Sequence, residues 1–246
     1  MWINLFLVFF IFCILAGSNY ILNDIKDIEK DRLHPKKKFR PIAAGILPKK
    51  QALFISFAIM LLSLVSAFVI SPMVGLAGLF YLINSMLYSA YFKNYAIVDA
   101  IFIAIGFVIR AVVGCLAIKV IISPWLILCV FLLALVLAFG KRRNELLVAK
   151  DSRKCLSEYN VSLSESLLNL SVSTLLMSYA LYTVSVNSSM MLTLPFAFFG
   201  IFRYVQMVHL NNFGGETELI LLDRQFIFNL LCWVFLIIFV LYGGVV

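Results

Sequence analysis

The sequence predicts an all-α, polytopic transmembrane helical bundle of about eight spans. Three observations predict it. Hydrophobic residues make up 63% of the 246-residue chain and charged ones only 13%, with a mean hydropathy of +1.05. Soluble domains carry about 45–50% apolar and about 25% charged residues, so lipid must be the solvent for much of this surface. Eight stretches approach the ~20 apolar residues that cross a bilayer at 1.5 Å per residue. The basic residues gather in alternate connections, as membrane topology requires.

The first span covers residues 2–22. It has no basic n-region and runs past Gly17 and Ser18 into a charged segment, so it reads as a retained helix, not a leader. The others are expected at 51–71, 73–92, 96–118, 122–140, 165–187, 189–209 and 226–245. Each must be helical, because hydrocarbon offers no partner to an unpaired backbone group. Pro72, Pro124 and Pro195 fall at or near helix starts, where a missing N–H is tolerated. Loop 23–50 holds nine lysines and arginines, whereas the connections at 71–72 and 187–189 hold none. Loops 23–50, 93–95, 141–164 and 210–225 are therefore expected in the cytoplasm and both termini outside, with Lys119 the lone exception.

The net charge of +8 does not point to nucleic acid, because it lies in short loops between apolar runs. Cys13, Cys115, Cys129, Cys155 and Cys232 form no metal-spaced cluster and read as small hydrophobes. No Ser/His/Asp set, P-loop or HExxH occurs.

Polar chemistry concentrates after the first span. Asp24, Asp27 and Asp31 stand at i, i+3 and i+7, so a continuing helix stacks them on one stripe, joined by Asn23. Three carboxylates together need a cation, and Mg²⁺ shared with a substrate diphosphate suits oxygen ligands at a membrane rim. The alternative is a solvated loop balanced by Lys26, Lys30 and Arg32. Next come His34, Lys36, Lys37, Lys38 and Arg40, kept non-helical by Pro35 and Pro41. Lys38 and Arg40 suit phosphate oxygens, though basic loops also serve topology and anionic lipid.

Lys141, Arg142 and Arg143, followed by Asn144 and Glu145, form a second candidate phosphate clamp facing the acidic stripe, or a positive-inside anchor. Lys150, Arg153 and Lys154 continue the same basic segment. Asp99 and Arg110 are embedded in the fourth span, where ionisable groups default to functional or paired roles. Asp99 lies near the cytoplasmic end. Arg110 lies ~16 Å deeper and reads as a structural or lipid-phosphate partner. Tyr204, His209, Gly214, Gly215, Glu216, Thr217, Glu218, Asp223 and Arg224 mark the last loop. Its glycine pair allows a sharp turn, and His209 reads as structural.

Residues 23–45, NDIKDIEKDRLHPKKKFRPIAAG, resemble the UbiA superfamily of intramembrane transferases, with its N-D-x-x-D-x-x-x-D motif and following R-P segment. The likeness runs from about residue 5 to about residue 240 and includes Asp99, the segment 106–114, the segment 139–146 and Asp223 with Arg224. These point to the branch that moves phosphoribose from phosphoribosyl diphosphate onto a polyprenyl phosphate. The resemblance implies that Asp24, Asp27 and Asp31 are catalytic, with Asp24 and Asp27 holding Mg²⁺. It implies substrate binding by Asn23, Lys38, Arg40, Asp99, Lys141, Arg142, Arg143 and Glu145. It also implies a bacterial inner-membrane enzyme with its site towards the cytoplasm. Homo-oligomerisation is left open. The family has nine spans, so this single domain, residues 1–246, is expected to lack the first helix. Rival readings are an aromatic prenyltransferase, disfavoured by Lys141–Arg143 standing where a second aspartate cluster is expected, and a non-enzymatic transporter or lipid-binding protein.

Overall fold

The computed structural model describes residues 2–33, 37–148, 154–210 and 217–242. His34, Pro35, Lys36, Lys150, Arg153 and residues 214–216, singled out above, lie outside them, as do the side chains of Lys30, Lys154, Thr217 and Glu218. Among the described residues the regular structure is helical: α1 Trp2–Lys26, α2 Ile28–Leu33, α3 Lys49–Ile70, α4 Pro72–Ala90, α5 Val98–Ile118, α6 Pro124–Val148, α7 Val161–Val186, α8 Leu194–Leu210 and α9 Arg224–Tyr242. Eight helical segments are long and apolar enough to cross a membrane. Large apolar side chains such as Phe6 and Phe10 on α1, and Phe228 and Phe235 on α9, are exposed. A soluble protein rarely shows so much bare apolar surface.

The prolines act as expected. Pro72 and Pro124 are the first residues of α4 and α6, and Pro195 is the second of α8. Two of the boundaries that differ from the hydropathy pattern bear on the polar residues. Helix α6 continues to Val148, so residues 141–145 are helical and not in a loop. Helix α7 starts at Val161, four residues early, behind an Asn160 cap whose Oδ1 accepts the Leu163 N–H at 2.7 Å.

The chain forms two compact units, one of Met1–Tyr91 with Val108–Ile122 and one of Phe92–Phe107 with Ser123–Val246. In the first, α1 lies along α3. Ala52, Ser56, Ser63 and Ala67 are buried on α3, and such small residues let helix backbones approach closely in lipid. Ser56 Oγ donates to the Ser18 carbonyl at 2.8 Å across that contact. Phe12 and Leu15 of α1 then meet Tyr81 and Leu82 of α4 and Val113 of α5.

In the second unit, α6 and α7 pair closely through Val136, Phe139, Leu168 and Val172. Asp223 caps α9, accepting the Phe226 N–H at 2.8 Å. Arg203 of α8 grips the same carboxylate with Nε at 3.2 Å and Nη2 at 2.7 Å. That hydrogen bonding, from Arg203 first and then Phe226, holds the Asp223 carboxyl below its usual range. All five cysteines are free thiols. Cys155 is buried as read, whereas Cys13 is exposed on α1.

Gly140 of α6 is where Tyr204 of α8 comes closest, its hydroxyl filling the space a Cβ would take. That hydroxyl is buried without a hydrogen-bond partner among the described residues. Gly140→Ala is expected to cost about 1–3 kcal/mol by overpacking. Adding Tyr204→Phe should recover at least half, read by unfolding in detergent; strictly additive losses would contradict the contact.

Candidate functional site

In the first unit, the chain bends at Asp27 between α1 and α2, yet the helical bonds carry across. The Asp27 N–H reaches the Asn23 carbonyl at 2.9 Å and the Asp31 N–H reaches that of Asp27 at 2.8 Å. Asp24, Asp27 and Asp31 therefore keep the spacing that the sequence required. The chain returns through a 3-10 turn, Lys37–Phe39, and a tight loop in which Gly45 takes φ 79°. Ile42 and Ala43 of that loop are buried, Ile42 against Ile25 and Ala52. Arg32 Nε donates to the Ala43 carbonyl at 3.1 Å, tying the loop to α2.

This return path delivers Arg40 to the acidic stripe. Its Nη1 donates to Asp24 Oδ1 at 2.6 Å and to Asp31 Oδ2 at 2.9 Å. Asp31 is only 3% exposed, while the side chains of Asp24 and Arg40 are 27% and 41% exposed, so the pair sits at a rim open on one side. Lys38 is exposed, its Nζ 5.1 Å from the Phe39 ring. Asn23 and Asp27 are half-buried. Among the described residues no three acidic, histidine or cysteine side chains converge on a single point. The donor set nonetheless consists of hard carboxylate oxygens, which suit Mg²⁺, and Arg40 shows that the stripe draws a cation between two of its members. Deeper in this unit, Arg110 lies over the Tyr81 ring at 5.7 Å, a cation–π contact that eases a charge within a span.

The second unit holds a separate polar node. Asp99 of α5 and Arg142 of α6 are 0% and 1% exposed, with Arg142 Nε 3.1 Å from Asp99 Oδ2. Arg142 also pairs with Glu145 one turn on. Tyr159 donates its hydroxyl to Asp99 Oδ1 at 3.1 Å. Arg143 faces elsewhere: Nε meets Glu165 Oε1 of α7 at 2.7 Å and Nη1 donates to the Val208 carbonyl of α8 at 3.0 Å. His209 Nε2 stands 3.7 Å from the same Glu165 oxygen. Of the three consecutive cations, Lys141 alone is more than marginally exposed. Two open grooves beside α8, of about 330 and 510 Å³, are lined by Phe202 and Gln206 with different neighbours, and neither includes any of the predicted site residues.

The structure thus brings Asp24, Asp31 and Arg40 together, and separately Asp99, Arg142 and Glu145. Sequence reasoning missed Tyr159, Glu165 and Arg203. Glu165 was hidden by the displaced start of α7. Tyr159 carried no charge to draw notice, and its partners Ile97 and Asp99 lie some 60 residues before it.

The UbiA prenyltransferase family model matches residues 1–230. The chain belongs to the UbiA family. The decaprenyl-phosphate phosphoribosyltransferase of Corynebacterium glutamicum is 31% identical, over 98% of this chain and 76% of its own length. Proteins of the same name from Mycolicibacterium smegmatis and Mycobacterium tuberculosis are 31% and 30% identical, over 92% and 93% of this chain and 76% and 78% of their lengths. This UbiA protein is an integral membrane protein, and the likeness seen in residues 23–45 extends through most of it.

In this UbiA chain Arg143 bridges three helices, so its loss strands a carboxylate and a carbonyl. Arg143→Ala is expected to cost about 2–3 kcal/mol of stability without any substrate present. Lys141→Ala should cost under about 1 kcal/mol. Equal losses in detergent unfolding would contradict the bridging role.

Proposed function

We propose that this UbiA-family chain transfers phosphoribose from phosphoribosyl diphosphate to a polyprenyl phosphate, in a Mg²⁺-dependent reaction. The observation that carries the proposal is the pair of carboxylates Asp24 and Asp31 with Arg40 drawn between them, beside Asp27. The names of relatives aligned over more than nine-tenths of the chain supply the substrate class.

The bond between the anomeric carbon and the diphosphate oxygen breaks, and its electron pair leaves with diphosphate. A polyprenyl phosphate oxygen forms the new bond to that carbon. The nucleophile is already an anion, so no strong base is needed and the task is leaving-group stabilisation and positioning. Bound Mg²⁺ would neutralise charge growing on the departing diphosphate. Asp24 and Asp27 are the proposed ligands, with Asp31 and Asn23 orienting them. Arg40, as a planar fork, and Lys38, as a mobile point charge, are proposed to take phosphate oxygens at the rim. Lys141 is the proposed phosphate contact from α6. The burial of Asp99, Arg142 and Arg143 favours roles behind that contact, with Glu145 holding Arg142.

Residues 1–246 are treated as one UbiA-type domain. The basic connections support a site on the cytoplasmic side, and the bacterial sources of the relatives support an inner-membrane setting.

Membranes containing the chain, given labelled phosphoribosyl diphosphate, Mg²⁺ and polyprenyl phosphate, should pass label into the lipid extract. Asp27→Ala should cut transfer at least about 100-fold while insertion is unchanged. Label left in water, alongside prenylation of an aromatic acid from polyprenyl diphosphate, would replace this reaction with the other.

A further inference from the structure

The segment that leads into α3 carries apolar side chains both inward and outward. The inward ones are covered. Ile42 packs against Ile25 in the last turn of α1 and Ala52 in the first turn of α3, with Leu47 beside them. The outward ones are bare: Phe39 and Ile46 are 74% and 78% exposed, and Leu33, which ends α2, is 88% exposed. The backbone around them is closed by hydrogen bonds. The Arg40 N–H donates to the Lys37 carbonyl at 3.0 Å, the Ala44 N–H to that of Arg40 at 2.8 Å, and the Leu47 N–H to that of Pro41 at 3.0 Å. Phe39 and Ile46 are thus presented by a fixed turn.

Ile25 and Ala52 set the height at which this turn lies. Helix α3 has 22 residues, so it is ~33 Å long at 1.5 Å per residue. That exceeds the ~30 Å hydrocarbon core and falls short of the ~40–45 Å bilayer. The first turn of α3 therefore lies in the headgroup layer, and so does a segment seated on it. Charge says what kind of headgroup meets it. Residues 37–50 include Lys37, Lys38, Arg40, Lys49 and Lys50 and no acid. Lys49 and Lys50 are exposed in the first turn of α3, where the helix dipole disfavours cations and Pro48 supplies no side-chain cap. Their placement answers to something outside the helix.

We propose that Leu33, Phe39 and Ile46 enter the headgroup layer of an anionic phospholipid leaflet, with Lys49 and Lys50 against its phosphates. Interfacial anchors share this pairing of exposed apolar side chains with cations. Each lysine close to such a surface favours binding by about fivefold. Lysines that served only to orient the spans during insertion would show no preference among lipids afterwards. Arg40 lies within the anchored segment, so the charge of the leaflet bears on how that cation is held over Asp24 and Asp31. The docking itself does not depend on which reaction the chain catalyses.

The full chain carrying Ile46→Trp is placed one copy to a nanodisc of equal parts phosphatidylcholine and phosphatidylglycerol. The fluorescence of the wild type, with its own three tryptophans, is subtracted. Bromine on the acyl chains of one lipid or the other serves as the quencher. The added indole should be quenched by bromolipid and shielded from acrylamide in the water. Brominated phosphatidylglycerol should quench it at least about twofold more than brominated phosphatidylcholine. Adding Lys49→Gln/Lys50→Gln should abolish that preference, and Lys49→Arg/Lys50→Arg should keep it. If Ile46→Trp folds poorly, Phe39→Trp reports from the same turn. An indole open to acrylamide and untouched by bromolipid overturns the docking. Equal quenching by the two lipids overturns the anionic leaflet as its partner. Shielding that appears only with several copies in a disc overturns it too, and assigns the surface to a second copy of the chain.

Discussion

A charged side chain in a bundle this apolar must find a partner, because lipid offers neither water nor counter-ion. Removing a carboxylate or guanidinium from water costs several kcal/mol even after relaxation. That constraint accounts for where the charges of this chain lie. Arg142 is enclosed by Asp99 and Glu145 and Arg143 by Glu165 and a backbone carbonyl, while the more exposed Arg203 pairs with Asp223. Arg110, placed within a span, rests on the Tyr81 ring. Such pairs add little net stability over well-packed apolar residues, but breaking one leaves a buried charge. They therefore specify how particular helices meet.

The acidic stripe follows the same rule with a different outcome. Arg40 brings the Asp24 and Asp31 carboxylates together, and the bend at Asp27 does not interrupt the backbone ladder between them. Their repulsion is relieved by Arg40, brought back by a loop that buries Ile42 and Ala43 and turns at Gly45. Arg40 remains 41% exposed, so unlike Arg142 it can exchange partners. A rim where one half-exposed cation bridges two carboxylates is suited to receiving a metal-bound diphosphate, and membership of the UbiA family agrees with that chemistry.

Much of the fold was legible because hydropathy and proline act locally. Residues 51–71 and 73–92 anticipate α3 and α4 to within two residues at each boundary, with Pro72 marking the turn between them. The stripe was legible too, since i, i+3 and i+7 spacing needs only a continuing helix. What escaped depended on tertiary pairing. Lys141, Arg142 and Arg143 ended the apolar run in the sequence, yet α6 continues because Asp99 and Glu165 neutralise two of those cations. No window along the chain can see a partner 43 residues before Arg142 or 22 after Arg143. For the same reason Tyr159 was invisible: its importance lies in touching Ile97 and Asp99, not in its neighbours along the chain.

The central claim is that Asp24 and Asp27 hold a divalent ion together with diphosphate. Mn²⁺ can stand in for Mg²⁺ and be followed by electron paramagnetic resonance on the chain in nanodiscs. With diphosphate present, one Mn²⁺ per chain should bind with a signal coupled to phosphorus. An Asp24→Asn/Asp27→Asn variant that inserts normally should lose that signal. Phosphorus-coupled Mn²⁺ binding of undiminished affinity in the double variant would contradict the claim and move the metal elsewhere in the protein.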